Sequence, residues 1–187
     1  SSITLCYESY ENYEPTRAGR AISEFVNENL SNWFVRLSRK RYWGGGYTED
    51  KISAFQTLYT CLNTVSKLIA PVAPFYADML YSDLNKITKK ETDQSVHLAY
   101  FPEYDEALID KDLEEKMAIA QKASSMILAL RRKEKLKVRQ PLSKIMVPVL
   151  SHHFREQFEA VKDIILAEVN VKEVEFITDT EGLVKKR

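Results

Sequence analysis

Apolar residues return at steps of three and four through Ala18, Ala21, Ile22, Phe25, Val26, Leu30, Trp33, Phe34 and Leu37, the spacing of one face of an α-helix. A long helix is predicted over residues 16–43. Thr16 suits its cap, and Gly44, Gly45 and Gly46 stop it because three glycines carry a large conformational entropy. A second helix is predicted over 49–70, with Thr48 as cap and Ile52, Phe55, Leu58, Tyr59, Leu62, Val65 and Ile69 facing inward. Pro71 and Pro74 break it, and Pro74 suits the first turn of a third helix over 74–84.

Residues 85–105 have no helical period. Val96-His97-Leu98-Ala99-Tyr100-Phe101 before Pro102 reads as extended, and the whole stretch as a connector. A fourth helix over 109–135 places Leu113, Met117, Ala120, Ser124, Ile127 and Leu130 on one stripe. After Pro141 the period changes: a strand over 145–150, Ser151 as a cap, a helix over 154–168, and a strand over 171–177. Such a strand, helix, strand unit most often joins parallel strands. Two strands alone make a marginal sheet, so helices must cover it. The predicted fold is mainly α, with a helical bundle over residues 1–105 and a long helix plus small α/β appendage over 106–187.

Composition adds limits. The 187 residues, 44% of them hydrophobic, are enough to bury a core. With 27 basic and 27 acidic residues the formal charge is zero, so only local clustering speaks for a charged partner. Cations gather at Arg36, Arg39, Lys40 and Arg41 and again from Arg131 to Lys144, whereas residues 103–115 are acidic. Arg131, Arg132 and Lys133 also suit the negative pole of the fourth helix. Cys6 and Cys61 form no C-x-x-C pair, so no metal site is expected and two idle thiols in a reducing cytoplasm are. No stretch approaches the ~20 apolar residues of a membrane span. The chain opens without Met, which reads as an excised piece of a longer protein.

On a helical wheel of about 100° per residue, Arg36, Arg39, Lys40 and Trp43 share one edge beside the stripe of Val26, Leu30, Trp33 and Leu37. Trp33 is therefore expected in the core. Trp43 is expected outside it, as a ring on which an unpaired base stacks, with the cations on phosphates. Arg41 projects toward the core on the same wheel, so either the last turn loosens or its stem reaches out. Tyr42 and Tyr47 read equally as stacking or packing groups. His97, His152 and His153 form no constellation, and no P-loop, G-x-G-x-x-G, H-E-x-x-H or G-x-S-x-G occurs.

Leu30-Ser31-Asn32-Trp33-Phe34-Val35-Arg36, Arg41-Tyr42-Trp43, Ala54-Phe55-Gln56-Thr57-Leu58-Tyr59, Leu68-Ile69-Ala70-Pro71-Val72-Ala73-Pro74-Phe75 and Ser95-Val96-His97-Leu98 follow in that order. Together they resemble the anticodon-binding region of class I aminoacyl-tRNA synthetases, over nearly the whole chain. Lys137-Val138-Arg139-Gln140-Pro141-Leu142 and Asn170-Val171-Lys172-Glu173-Val174-Glu175-Phe176 resemble the isoleucine branch in its long, eukaryote-like form; the valine branch is the more distant alternative.

The resemblance implies a bundle that recognises the anticodon stem-loop of a tRNA, the isoleucine tRNA in this branch, with Trp43 at a position where related methionine enzymes place a base-contacting aromatic. It implies Arg36, Arg39, Lys40, Arg41 and Trp43 as tRNA-binding residues and Arg131, Arg132, Lys137 and Arg139 as secondary backbone contacts. Activation of the amino acid needs H-I-G-H and K-M-S-K-S type motifs, absent here, so ATP and Mg would belong to the rest of such a ligase and this chain would need no cofactor. The competing reading is a scaffold that docks on the catalytic body through intramolecular ion pairs. Either would act in the cytoplasm.

Overall fold

The computed structural model describes residues 2–149 and 151–177. The chain divides into two compact units between Glu106 and Ala107.

In the first unit, α1 (Ser2–Glu11) turns back through Tyr13, at φ 56°, into α2 (Pro15–Glu24). The sequence pattern did not announce α1, because its buried positions are Cys6 and Ser9 rather than an apolar stripe. Pro15, with no N–H to orphan, starts α2; the N-cap position is Glu14, not Thr16, and its side chain makes no capping bond but accepts from Arg17 Nη1 at 3.3 Å. The single helix expected over 16–43 is three pieces. After α2 the backbone widens into a π-helical segment, Phe25–Val35, and Ser38, buried at φ −83° and ψ 1°, separates this from α3 (Arg39–Trp43).

Next comes α4 (Glu49–Ile69), capped as expected by Thr48, whose Oγ1 accepts from Lys51 N at 3.2 Å. Pro74 opens α5 (Pro74–Thr88), and Lys89 in the left-handed region closes it, four residues beyond the expected end. One core joins Cys6, Ala18, Ile22, Val65 and Leu68; a second joins Ala77, Tyr81 and Val96. Residues 96–99 turn rather than extend. They turn under Asp78, whose Oδ1 accepts from Ser95 Oγ at 2.6 Å and Val96 N at 3.0 Å, so a carboxylate satisfies the amide that a strand partner would have taken.

The second unit begins with α6 (Lys111–Lys133), capped by Asp110, which accepts from Leu113 N at 3.0 Å. Then follow β1 (Leu142–Pro148), α7 (His152–Ala160), α8 (Lys162–Val169) and β2 (Val171–Ile177). The strands are parallel, in register from Leu142 against Val171 to Pro148 against Ile177. β1 starts earlier than expected, and Leu150, its expected last residue, lies outside the described residues. The helix expected over 154–168 is interrupted at Val161, at φ −114° and ψ 8°. Phe158, Val161, Ile165, Val169 and Val171 are buried around it, and the rings of Phe158 and Phe176 meet edge-on at 5.6 Å.

Candidate nucleic-acid interface

The turn between α3 and α4 is held from both sides. Arg41 Nε donates to Asp50 Oδ2 at 2.8 Å, while its Nη2 donates to Asp50 Oδ1 at 2.7 Å and to the Asp50 carbonyl at 3.0 Å. Arg41 Nη1 reaches Ser38 Oγ at 3.4 Å. This bidentate bond holds the Asp50 carboxyl below the usual carboxylate range and pushes the Arg41 guanidinium up. On the other side, Lys51 Nζ donates to the Gly44 carbonyl at 2.8 Å and lies 5.2 Å from the Tyr47 ring centroid.

Glycine suits the turn at two points, through backbone conformation at one and close approach at the other. Gly46 sits at φ +75°, and a Cβ on Gly44 would lie 3.3 Å from the Lys40 carbonyl.

This pinned turn presents two bare rings. Trp43 is 87% exposed and Tyr47 84% exposed, on either side of the glycines. Tyr42 is a packing group, its ring 4.9 Å from that of Phe55 and its hydroxyl donating to the Ala54 carbonyl at 3.4 Å. Trp33 is half-buried, with its Nε1 enclosed and unbonded among the described residues. Arg36, Arg39 and Lys40 are exposed, and among the described residues Arg39 and Lys40 make no salt bridge. The arrangement has the parts of a single-strand site: flat apolar faces for bases and exposed cations beside them for phosphates.

Arg41 does not stand with those cations. Its fork is committed to Asp50, leaving a single Nη1 hydrogen of the five that a guanidinium offers. A search for anions at i±4 misses Asp50, which comes from the next helix, nine residues on. Sequence reasoning also missed Lys51 as the tether of the turn; its place in the first turn of α4 was the available signal.

In the second unit, Arg132, Lys137 and Arg139 are exposed. Arg131, expected among the backbone contacts, is 3% exposed and turned inward: its Nη2 donates to the carbonyls of Lys137 at 2.7 Å, Val138 at 3.3 Å and Gln140. That corrects its role, since a buried guanidinium does not reach a phosphate. Among the described residues no three of His, Cys, Asp and Glu converge as metal ligands, and no helix is long and apolar enough to cross a membrane.

Residues 1–146 match the model of a family described as the anticodon-binding domain of tRNA ligase. The chain is 60% identical over 178 residues to an isoleucine–tRNA ligase of Bacteroides fragilis, covering 95% of this chain and 16% of that relative. It is 57% identical over 178 residues to the isoleucine–tRNA ligase of Bacteroides thetaiotaomicron, covering 95% and 15%, and 56% identical over 179 residues to that of Cytophaga hutchinsonii, covering 96% and 16%. The chain thus spans only about a sixth of the length of these relatives.

Proposed function

The chain belongs to the anticodon-binding domain family of tRNA ligases, and from that premise we propose that it is the tRNA-recognition module of an isoleucine–tRNA ligase. It grips the anticodon stem-loop and leaves ATP-dependent activation and transfer of isoleucine, with their ATP and Mg, to the remainder of the ligase. It takes no cofactor of its own and works in the cytoplasm. The observation that carries this reading is Trp43, nearly bare at the end of α3, beside exposed Arg39 and Lys40 on a turn braced by Arg41 and Asp50. An exposed indole costs solubility unless a partner covers it, and a base is the partner that its cationic neighbours suit. Arg36 extends the same exposed edge. The names of the relatives, all at 56–60% identity, support isoleucine over valine as the cognate amino acid.

Filter binding of isoleucine tRNA to the Trp43→Ala variant tests the stacking role. The expected loss is about 1–3 kcal/mol; unchanged affinity with an intact fold removes it. Isoleucine tRNA is expected to bind more tightly than valine tRNA, and equal affinities would remove the specificity from this chain.

A scaffold role for the same unit has its own observation: Phe75 on α5 is 90% exposed and Tyr100 is 93% exposed, and neither has a cation nearby in sequence. Failure to bind tRNA at low salt, with restored activity of a ligase lacking this region, would favour it.

A further inference from the structure

The second unit holds a cationic turn built differently from the tip of the first. α6 ends in a left-handed Lys135, at φ 56°, with Lys135 N donating to the Arg132 carbonyl at 3.1 Å and Leu136 N to the Arg131 carbonyl at 2.8 Å. The chain then bends over the Arg131 side chain, and the carbonyls of Lys137, Val138 and Gln140 all converge on its Nη2. Asn170, in the left-handed cap of α8, donates from Nδ2 to the Val138 carbonyl at 2.8 Å. With its carbonyls turned inward, the turn carries its charged side chains outward: Arg132, Lys133, Glu134, Lys135, Lys137 and Arg139 are all exposed. Five cations against one anion leave a net charge of +4 over residues 132–139.

The helix dipole accounts for Arg132 and Lys133 but not for Lys135, Lys137 or Arg139, which lie beyond the helix. None of the five cations makes a salt bridge among the described residues, whereas Lys144, Lys116 and Lys162 of the same unit are each paired with a carboxylate. An uncompensated cationic turn, fixed by a buried guanidinium, matches a partner of dense, regular negative charge.

We propose that this turn is a second RNA-backbone contact, in which Lys137 and Arg139 meet phosphates and Arg131 is a positioning residue that shapes the turn without touching RNA. The identity of the RNA as a tRNA rests on the function proposed above; the contact itself belongs to the second unit alone. Arg131 stiffens the turn, so Lys137 and Arg139 give up less backbone freedom on binding than they would on a free loop.

The test is the salt dependence of tRNA binding by the chain between about 50 and 200 mM salt. Replacing Lys137→Gln together with Arg139→Gln removes two surface charges without touching the core. It is expected to weaken binding several-fold and to reduce the slope of log affinity against log salt by about 1.4–1.8. Arg131→Met keeps all five exposed cations, yet is expected to weaken binding and lower the slope as well, with Arg131→Lys restoring both. A purely structural Arg131 would lower the melting temperature and leave the slope alone.

If Arg131→Met does not fold, the Lys137→Gln, Arg139→Gln pair decides. Wild-type affinity and slope in that pair, with Trp43→Ala impaired, overturn the second contact and leave the turn to an acidic protein surface. A weakened pair with unimpaired Trp43→Ala sustains the contact while removing the stacking site at the tip. Absence of tRNA binding even at the lowest salt overturns both.

Discussion

Asp50 decides what Arg41 does. A guanidinium facing solvent is available to any phosphate, but one forked onto a carboxylate becomes part of the frame. Because Asp50 is an anion beside a cationic edge, its removal by simple electrostatics should improve RNA binding. The geometry predicts the opposite sign: Asp50→Asn is expected to weaken tRNA binding several-fold, because the Trp43–Tyr47 turn loses its brace. Tighter binding by Asp50→Asn in a filter assay would refute the bracing role. Hydrogen exchange at the Gly44 amide, which donates to the Lys40 carbonyl at 3.1 Å, supplies an independent readout and is expected to speed up. The stacking ring and the exposed cations were legible in the sequence, since charge and aromaticity at a helix end are local properties. The Arg41–Asp50 pair was not, nor was the burial of Arg131, because each depends on where a turn brings the chain back.

At the scale of elements, periodicity located α4, α5, α6 and β2 within a few residues, since each keeps one period and the three helices also carry a cap or proline at the start. It did not separate α2, the π-helical segment and α3, because an apolar stripe at steps of three and four remains continuous through a local widening of the helix. Nor did it find the joint between α4 and α5 at Glu91. Glu91 accepts from Asn63 Nδ2 at 2.7 Å, Lys67 Nζ at 3.0 Å and the Tyr81 hydroxyl at 3.4 Å, while its backbone exchanges two bonds with the Asn85 side chain.

Burial alone would raise the Glu91 carboxyl, but the Lys67 and Asn63 bonds outweigh it and hold it below its ordinary value of 4.5. The same burial, reinforced by the Glu91 charge, pushes the Tyr81 phenol up to about 12. A carboxyl lowered in the folded state contributes stability that is fully present above 4.5 and is lost as pH falls through its lower folded value. Urea unfolding should therefore show stability dropping below pH 4.5 in the wild type, with a shallower drop in Glu91→Ala. At neutral pH the same variant is expected to lose about 1.5–3 kcal/mol, because Lys67 is left without its charged partner. Parallel pH curves for the two proteins would remove Glu91 from this role.

For the molecule as a whole, both units bury apolar side chains: Cys6, Ile22 and Tyr81 among them in the first, Phe158, Ile165 and Val169 in the second. Both tryptophans of the chain, Trp33 and Trp43, lie in the first unit, while helix is present in both. Tryptophan fluorescence therefore reports on the first unit alone, and far-ultraviolet circular dichroism on the two together. Truncating Phe158, 1% exposed at the centre of the second unit, costs about 3–5 kcal/mol through lost burial and the cavity left behind. In Phe158→Ala the circular dichroism transition should acquire an early step while the fluorescence midpoint stays in place, because divergent probes are the signature of domains that unfold separately. Coincident, equally lowered midpoints would mean that the units unfold as one, and the effect of Arg131→Met on tRNA binding would then have to be measured against the stability of the first unit as well.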